Sequence, residues 1–202
     1  MRVICLDMEG VLVPEIWLGV AEKTGIEELR LTTRDIRDYD ELMRHRLKVL
    51  DQHGIKMDLI QDVIGEMGPM AGAKDFLDEL RSQAQVIILS DTFYDFAKPL
   101  MERLGRPTLF CHYLNVGEDG HISAYRLRTT DHKTKSVKAL KELNFVTAAM
   151  GDSYNDTGMI QAAHVSSFFR SPQNVLDDFP DYPHFTDYDE AADFLLTTEP
   201  RI

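Results

Sequence analysis

Cysteine is nearly missing from this chain: Cys5 and Cys111 are the only two among 202 residues, and Cys5 lies inside the apolar run at 3–6. Neither a disulfide framework nor a zinc site of the CxxC kind is expected, and a reduced, cytoplasmic setting is the better reading. Positive charge is scarce as well. Lys and Arg number 22 against 34 Asp and Glu, giving a formal charge of −12 and a pI near 4.9. The few cations do not cluster, so a nucleic-acid backbone would meet net repulsion and is not an expected partner. Long apolar runs are lacking too. There is no cationic leader joined to a long apolar stretch, and no later run would cross a bilayer, so neither secretion nor a membrane partner is expected. Repeats, low-complexity tracts and disordered linkers do not stand out, and only the closing TTEPRI is expected to be loose.

With 44% hydrophobic residues, the chain can bury a sizeable core, as one large domain or one domain with a small insert. Short apolar runs (VICL, VIIL, TLFC, VTAAM and VSSFF) alternate with amphipathic stretches at 73–81, 136–143 and 156–163. That alternation predicts an α/β fold with a parallel sheet covered on both faces. Between Pro14 and Pro69 the rhythm breaks, and a helical pattern runs without a convincing strand. The expected organisation is a catalytic core at 1–14 and 70–202 with a helical cap at 15–69. Within that insert, TTRDIRDYDELMRHRLKVLDQHG carries Ile36, Tyr39, Met43, Leu47 and Leu50 at steps of three and four, and Gly54 marks a stop. Arg46 falls at the edge of this stripe, where its stem could cover apolar surface while its head reaches water. A second helix is predicted over 57–67. YLNVGEDGHISAYRL, two alternating runs around a glycine turn, predicts a β-hairpin.

Open parallel sheets bind ligands beyond the carboxyl ends of their strands. Asp7 and Glu9 follow the first run; Ser90, Asp91 and Thr92 follow VIIL; Gly151, Asp152, Asn155 and Asp156 follow VTAAM. Carboxylates converging there would repel each other unless a cation neutralised them. Oxygen ligands with room for water suit Mg2+. Ser90 would offer a hydroxyl and nearby N–H groups to phosphate oxygens. Lys133, just before a helix expected near Thr134, opposes the helix dipole by about 0.3–1 kcal/mol; a phosphate between them would remove the conflict. Taken singly, Ser90 could be an N-cap, Lys133 a solvated side chain, and Asp152 and Asp156 turn or capping residues. Their joint placement at strand ends favours a site.

DMEGV, LSD, Lys133 and GDSYND resemble, in order, the four motifs of the haloacid-dehalogenase superfamily of phosphotransferases. YDELMRHRLKVL, GPMAGAKDFLDELR and DTFYDFAKPLMERLG are similar to its phosphoserine phosphatase branch over nearly the whole chain. Glu9 together with SDTF resembles the bifunctional phosphoserine phosphatase/homoserine phosphotransferase group. The resemblance implies a Rossmann-like core with a helical cap inserted after the first strand, and Asp7 as the nucleophile that becomes an aspartyl phosphate. It implies Glu9 as proton donor and acceptor, and Mg2+ held by Asp7, the Glu9 carbonyl and Asp152, with Asp156 acting through metal-bound water. Ser90, Lys133 and Asn155 would hold the phosphoryl group, while Glu15 and Arg46 would meet the ammonium and carboxylate of O-phospho-L-serine, with L-homoserine as a second acceptor beside water. Two departures stand out. Glu9 replaces a second Asp, and Asp91 and Thr92 replace a Gly-Gly pair whose backbone usually meets the substrate carboxylate, so their side chains would reshape that pocket. Two other readings compete: a phosphatase of the same fold for another small metabolite, and a signalling receiver domain that is phosphorylated without turnover.

Overall fold

The computed structural model describes residues 1–32, 35–36 and 38–200. The first strand, β1 (Arg2–Leu6), is buried on both faces, and its alternate residues enter different cores. Ile4 and Leu6 join one apolar cluster, while Val3 and Cys5 join the other. That split follows from the two-residue period of a strand.

Three helices come next: α1 (Ile16–Thr24), α2 (Tyr39–Gln52) and α3 (Met57–Met67). The sequence then returns through α4 (Ala73–Gln83), β2 (Gln85–Phe93), α5 (Tyr94–Arg103), β3 (Thr108–Val116) and β4 (Ile122–Arg126). It finishes with α6 (His132–Glu142), β5 (Val146–Gly151), α7 (Thr157–Ala162), β6 (Val165–Phe169), α8 (Gln173–Asp178), β7 (His184–Phe185) and α9 (Tyr188–Thr197). The sheet order is β4-β3-β2-β1-β5-β6-β7. All neighbours are parallel except the β3–β4 hairpin.

This order places a functional cleft by topology. From β1 the chain builds β2, β3 and β4 on one side and then crosses to build β5, β6 and β7 on the other. The reversal leaves a crevice at the carboxyl end of β1, where open α/β sheets bind ligands. Beneath it, Val137 of α6 and Met159 and Ile160 of α7 cover one face. Phe76 and Leu80 of α4, Leu100 of α5 and Leu195 of α9 cover the other.

The long helix of the insertion begins later than its apolar stripe predicts. Asp38 caps α2 by accepting from the Glu41 N–H at 2.8 Å, so Ile36 lies ahead of the helix; Thr33, Arg34 and Arg37 of that stretch lie outside the described residues, as do the last two of TTEPRI. Tyr39 OH donates to Asp91 O at 3.0 Å, Gln61 to Asp95 O at 2.9 Å, and Met57 N to Gly120 O at 2.9 Å. Trp17 packs edge-on against Phe96 with centroids 5.3 Å apart. The three helices therefore share one continuous apolar cluster with α4, α5 and one face of the sheet. Among the described residues, no helix is long and apolar enough to cross a membrane.

Candidate active site

Asp7 leaves β1 with its backbone N–H donating to Met150 O at 2.9 Å, which continues the β1–β5 pairing. Asp152 follows β5 directly. The tips of two adjacent strands thereby bring both carboxylates into one crevice, with Asp156 a short turn beyond. Oxygens of Asp7, Asp152 and Asp156 lie within 4.8 Å of one another. Gly10 and Gly151 make room for this crowding. A Cβ on Gly10, whose φ is +77°, would sit 2.5 Å from Asp152 Oδ2, and one on Gly151 would sit 2.3 Å from Asp156 Cγ. Such gaps are too short for any side chain.

Lys133 Nζ stands among the carboxylates, 2.8 Å from Asp7 Oδ1, 2.7 Å from Asp156 Oδ1 and 3.6 Å from Asp91 Oδ2. It lies inside α6, because that helix starts at His132 and not near Thr134. The conflict between Lys133 and the helix dipole is offset by this ring of acids. Burial works to lower the Lys133 pKa, but Asp156, Asp7 and Asp91 hold it well above its ordinary value. Removing one partner from so buried a group would cost about 3–5 kcal/mol.

The acids are under strain of like charge. Burial, followed by Asp156 and against the pull of Lys133, holds Asp7 well above the usual carboxylate range. Burial and Asp156 push Asp152 up to about 7. Asp156 is itself committed on both oxygens: Oδ1 to Lys133, and Oδ2 to the backbone N–H groups of Asp152 and Ser153 at 3.0 and 3.1 Å. It also closes a capping box with Ser153, so its role as a cap and its place in the site coincide. Oxygen donors this crowded fit a hard divalent cation, with Asp7 and Asp152 available for direct contact and Asp156 already engaged.

Glu9 turns inward, its Oε2 accepting from Ile16 N at 2.8 Å. Burial and then Glu15 push it up to about 8. Glu15, the residue before α1, is exposed. It adds to the negative field at Glu9 and at Asp152.

Arg46 points inward and does not adopt the alternative pose of a stem covering apolar surface with a solvated head. It is 7% exposed, its guanidinium carbon 4.6 Å above the Trp17 ring, with Nη2 donating to Leu31 O at 3.0 Å. Its Nε is buried without a hydrogen-bond partner. Burial lowers it to about 10, against the attraction of Tyr39, Glu9 and Glu15, so it remains a cation at neutral pH.

Ser90, Asp91 and Thr92 differ from expectation in their local setting. They belong to β2, which runs on to Phe93 past a register shift after Leu89, and α5 begins only at Tyr94. Ser90 is therefore no N-cap. Its Oγ accepts from Thr92 N at 3.3 Å, and both residues are buried. The Asp91 carboxylate is gripped by Asn155 Nδ2 at 2.9 Å and faces the Nε2 atoms of His112 and His132 at 3.4 and 3.2 Å. Burial works to raise Asp91, but Lys133, the nearby His112 and His132 rings and the hydrogen bond from Asn155 hold it well below the usual range; His132 Nε2, though 3.2 Å away, is not aligned for a hydrogen bond.

The two histidines are the groups that the sequence did not single out. His132 had a signal, since it adjoins Lys133. His112 follows TLFC, but the continuing hairpin run hid it.

The sequence model of the haloacid dehalogenase-like hydrolases matches residues 1–164. The chain is 52% identical over 201 residues to the phosphoserine phosphatase ThrH of Pseudomonas aeruginosa, covering 100% of this chain and 98% of that protein. It is 53% identical over 200 residues to a phosphoserine phosphatase of Pseudomonas syringae pv. tomato, covering 99% and 84%. In fold it resembles the crystal structure of a phosphoserine phosphatase from T. onnurineus in complex with NDSB-201, with a TM-score of 0.73 at 24% identity, covering 98% of this chain and 96% of that one.

Proposed function

This chain belongs to the haloacid dehalogenase-like hydrolase family, and on that premise we propose that it is a Mg2+-dependent phosphoserine phosphatase that also transfers the phosphoryl group to L-homoserine. The observation that carries this reading is Asp7, fixed at the tip of β1, meeting Lys133 at 2.8 Å beside Asp152 and Asp156. Identity above half to two proteins named as phosphoserine phosphatases supports the substrate. Glu9 and SDTF support the second acceptor through their resemblance to the bifunctional group.

Asp7 attacks phosphorus, the bond to the serine oxygen breaks, and Glu9 protonates that oxygen as it leaves. Glu9, now a carboxylate, takes a proton from water or from the homoserine hydroxyl. The new oxygen attacks phosphorus and frees Asp7. Mg2+ would be held by Asp7, the Glu9 carbonyl and Asp152, with Asp156 acting through metal-bound water. When bound, it supplies positive charge to the acids and to the phosphoryl oxygens. Ser90, Lys133 and Asn155 hold the transferring group in line, since such transfer depends on placement and charge compensation. Glu15 takes the substrate ammonium and Arg46 its carboxylate; Arg46 is charged and has an unpartnered Nε. Residues 15–69 act as a cap over the core at 1–14 and 70–202, and Thr92 helps shape the pocket at its edge.

The test is phosphate release from O-phospho-L-serine with Mg2+, with and without L-homoserine, in parent and Asp7→Asn protein. Turnover by the parent and a loss on the order of 10^4-fold or more in Asp7→Asn are expected. An Asp7→Asn protein at the parental rate overturns the mechanism, a single phosphate taken up without release turns the reading toward a receiver, and no phosphohomoserine under any condition removes the transferase activity.

A further inference from the structure

Asp91 is an anion placed among the groups that would hold another anion. Its Oδ2 accepts from Asn155 Nδ2 at 2.9 Å and lies 3.6 Å from Lys133 Nζ. These are the donors assigned above to the phosphoryl group.

The carboxylate is also flanked from behind by two buried imidazoles, of which His132 makes no aligned hydrogen bond to it. His112 and His132 are each 2% exposed, with ring centroids 4.6 Å apart, and both direct Nε2 at Asp91 Oδ1. The backbone N–H of Arg128 donates to His112 Nδ1 at 3.2 Å. That nitrogen therefore carries the lone pair and Nε2 carries the proton. The same tautomer argues against a metal among Asp91, His112 and His132, because the ion would need the Nε2 lone pair. Asp91 O is tied in turn to Tyr39 OH of α2, so both ends of the residue are held.

We propose that Asp91 is a built-in competitor of inorganic phosphate, a fixed carboxylate that shares the donors of Lys133 and Asn155 and so weakens the hold of the site on the phosphate product. The inference rests on the reading of those two residues as phosphoryl-binding. A phosphate arriving at Lys133 and Asn155 must draw Asn155 away from Asp91 or sit beside its charge. Like charges a few ångströms apart weaken binding on the order of tenfold or more. The ester meets the same repulsion, but its amino-acid end is held by Glu15 and Arg46. The free ion has no such second hold, so it leaves. Asp91 thus lowers the grip on any phosphoryl group, and the second hold at Glu15 and Arg46 keeps the ester while the free ion leaves.

The experiment measures inorganic phosphate binding by calorimetry in Mg2+ buffer, together with phosphate inhibition of phosphoserine turnover, for parent, Asp91→Asn and Asp91→Gly. Asp91→Asn keeps the shape and removes the charge; Asp91→Gly keeps the proposal testable if the amide does not fold. Phosphate should bind either folded variant roughly tenfold more tightly than the parent. Unchanged or weaker phosphate binding in the folded variants, with a parent active on phosphoserine, overturns the proposal and makes Asp91 only a positioning partner of Asn155. A parent inactive on phosphoserine instead overturns the reading of Lys133 and Asn155, and the inference falls with it.

Discussion

Glu9 holds its place through one short contact, Oε2 to Ile16 N at 2.8 Å. Shortening the side chain in Glu9→Asp withdraws the carboxyl by about one carbon–carbon bond, roughly 1.5 Å, and breaks that contact. The main chain at residue 9 stays, so the proposed Mg2+ contact is preserved. A displacement of this size can cost on the order of 10^2-fold in a chemical step. It acts unequally on water and on a bulkier alcohol. The ratio of phosphohomoserine to phosphate, followed by 31P NMR, should therefore change in Glu9→Asp; an unchanged ratio would make Glu9 equivalent to an Asp. Arg46 gives a second prediction. Arg46→Ala should raise KM for phosphoserine at least tenfold while changing turnover of phosphoethanolamine, which lacks the carboxylate, far less, because a guanidinium pairs a carboxylate bidentately. Equal losses on both esters would leave Arg46 as packing for Trp17 alone.

At the scale of elements, α2 carries Arg46 against Trp17, and its first turn depends on Asp38. Replacing the cap in Asp38→Ala should cost about 1 kcal/mol. The loss should appear as faster amide exchange in the first turn of α2, while amides of β1 and β5 keep their protection. Uniform acceleration across the sheet would show that α2 and the core unfold as one unit. The same region shows how far sequence reading reaches. The stripe of Tyr39, Met43, Leu47 and Leu50 revealed the helix, and its period put Arg46 at the edge. Only the neighbours of that edge decided the outcome: Trp17 from α1 stacks on the guanidinium, and Leu31 O takes one of its N–H groups. Helix periodicity gives direction around an axis and says nothing about which ring waits there.

For the whole molecule, the crowding of Asp7, Asp152 and Asp156 leaves like charge that Lys133 offsets only in part. Mg2+ at a hundredfold excess over its Kd should stabilise the protein by about 2.7 kcal/mol. The measurement is a thermal melt with and without Mg2+, and the gain should vanish in Asp152→Asn. A parent melt that does not move with Mg2+ would place the metal elsewhere or nowhere. The same crowding explains why Gly10 and Gly151 border the site, since neither position has space for a Cβ.

Strand and helix periods, and the rule that ligands gather beyond strand ends, are local or topological, so the sequence by itself determined the parallel sheet, the helical insertion and the acids Asp7, Asp152 and Asp156. Its periodicity also marked the β3–β4 hairpin. The tertiary structure decided what each acid meets. Lys133 lies 126 positions from Asp7, and their approach depends on α6 packing against β2 and β5. Likewise, Asp91 could be read only as a replacement for glycine until β3 brought His112 and α6 brought His132 to the same carboxylate. Charge and hydrogen-bond partners are properties of neighbours in space, and spacing along a chain does not carry them.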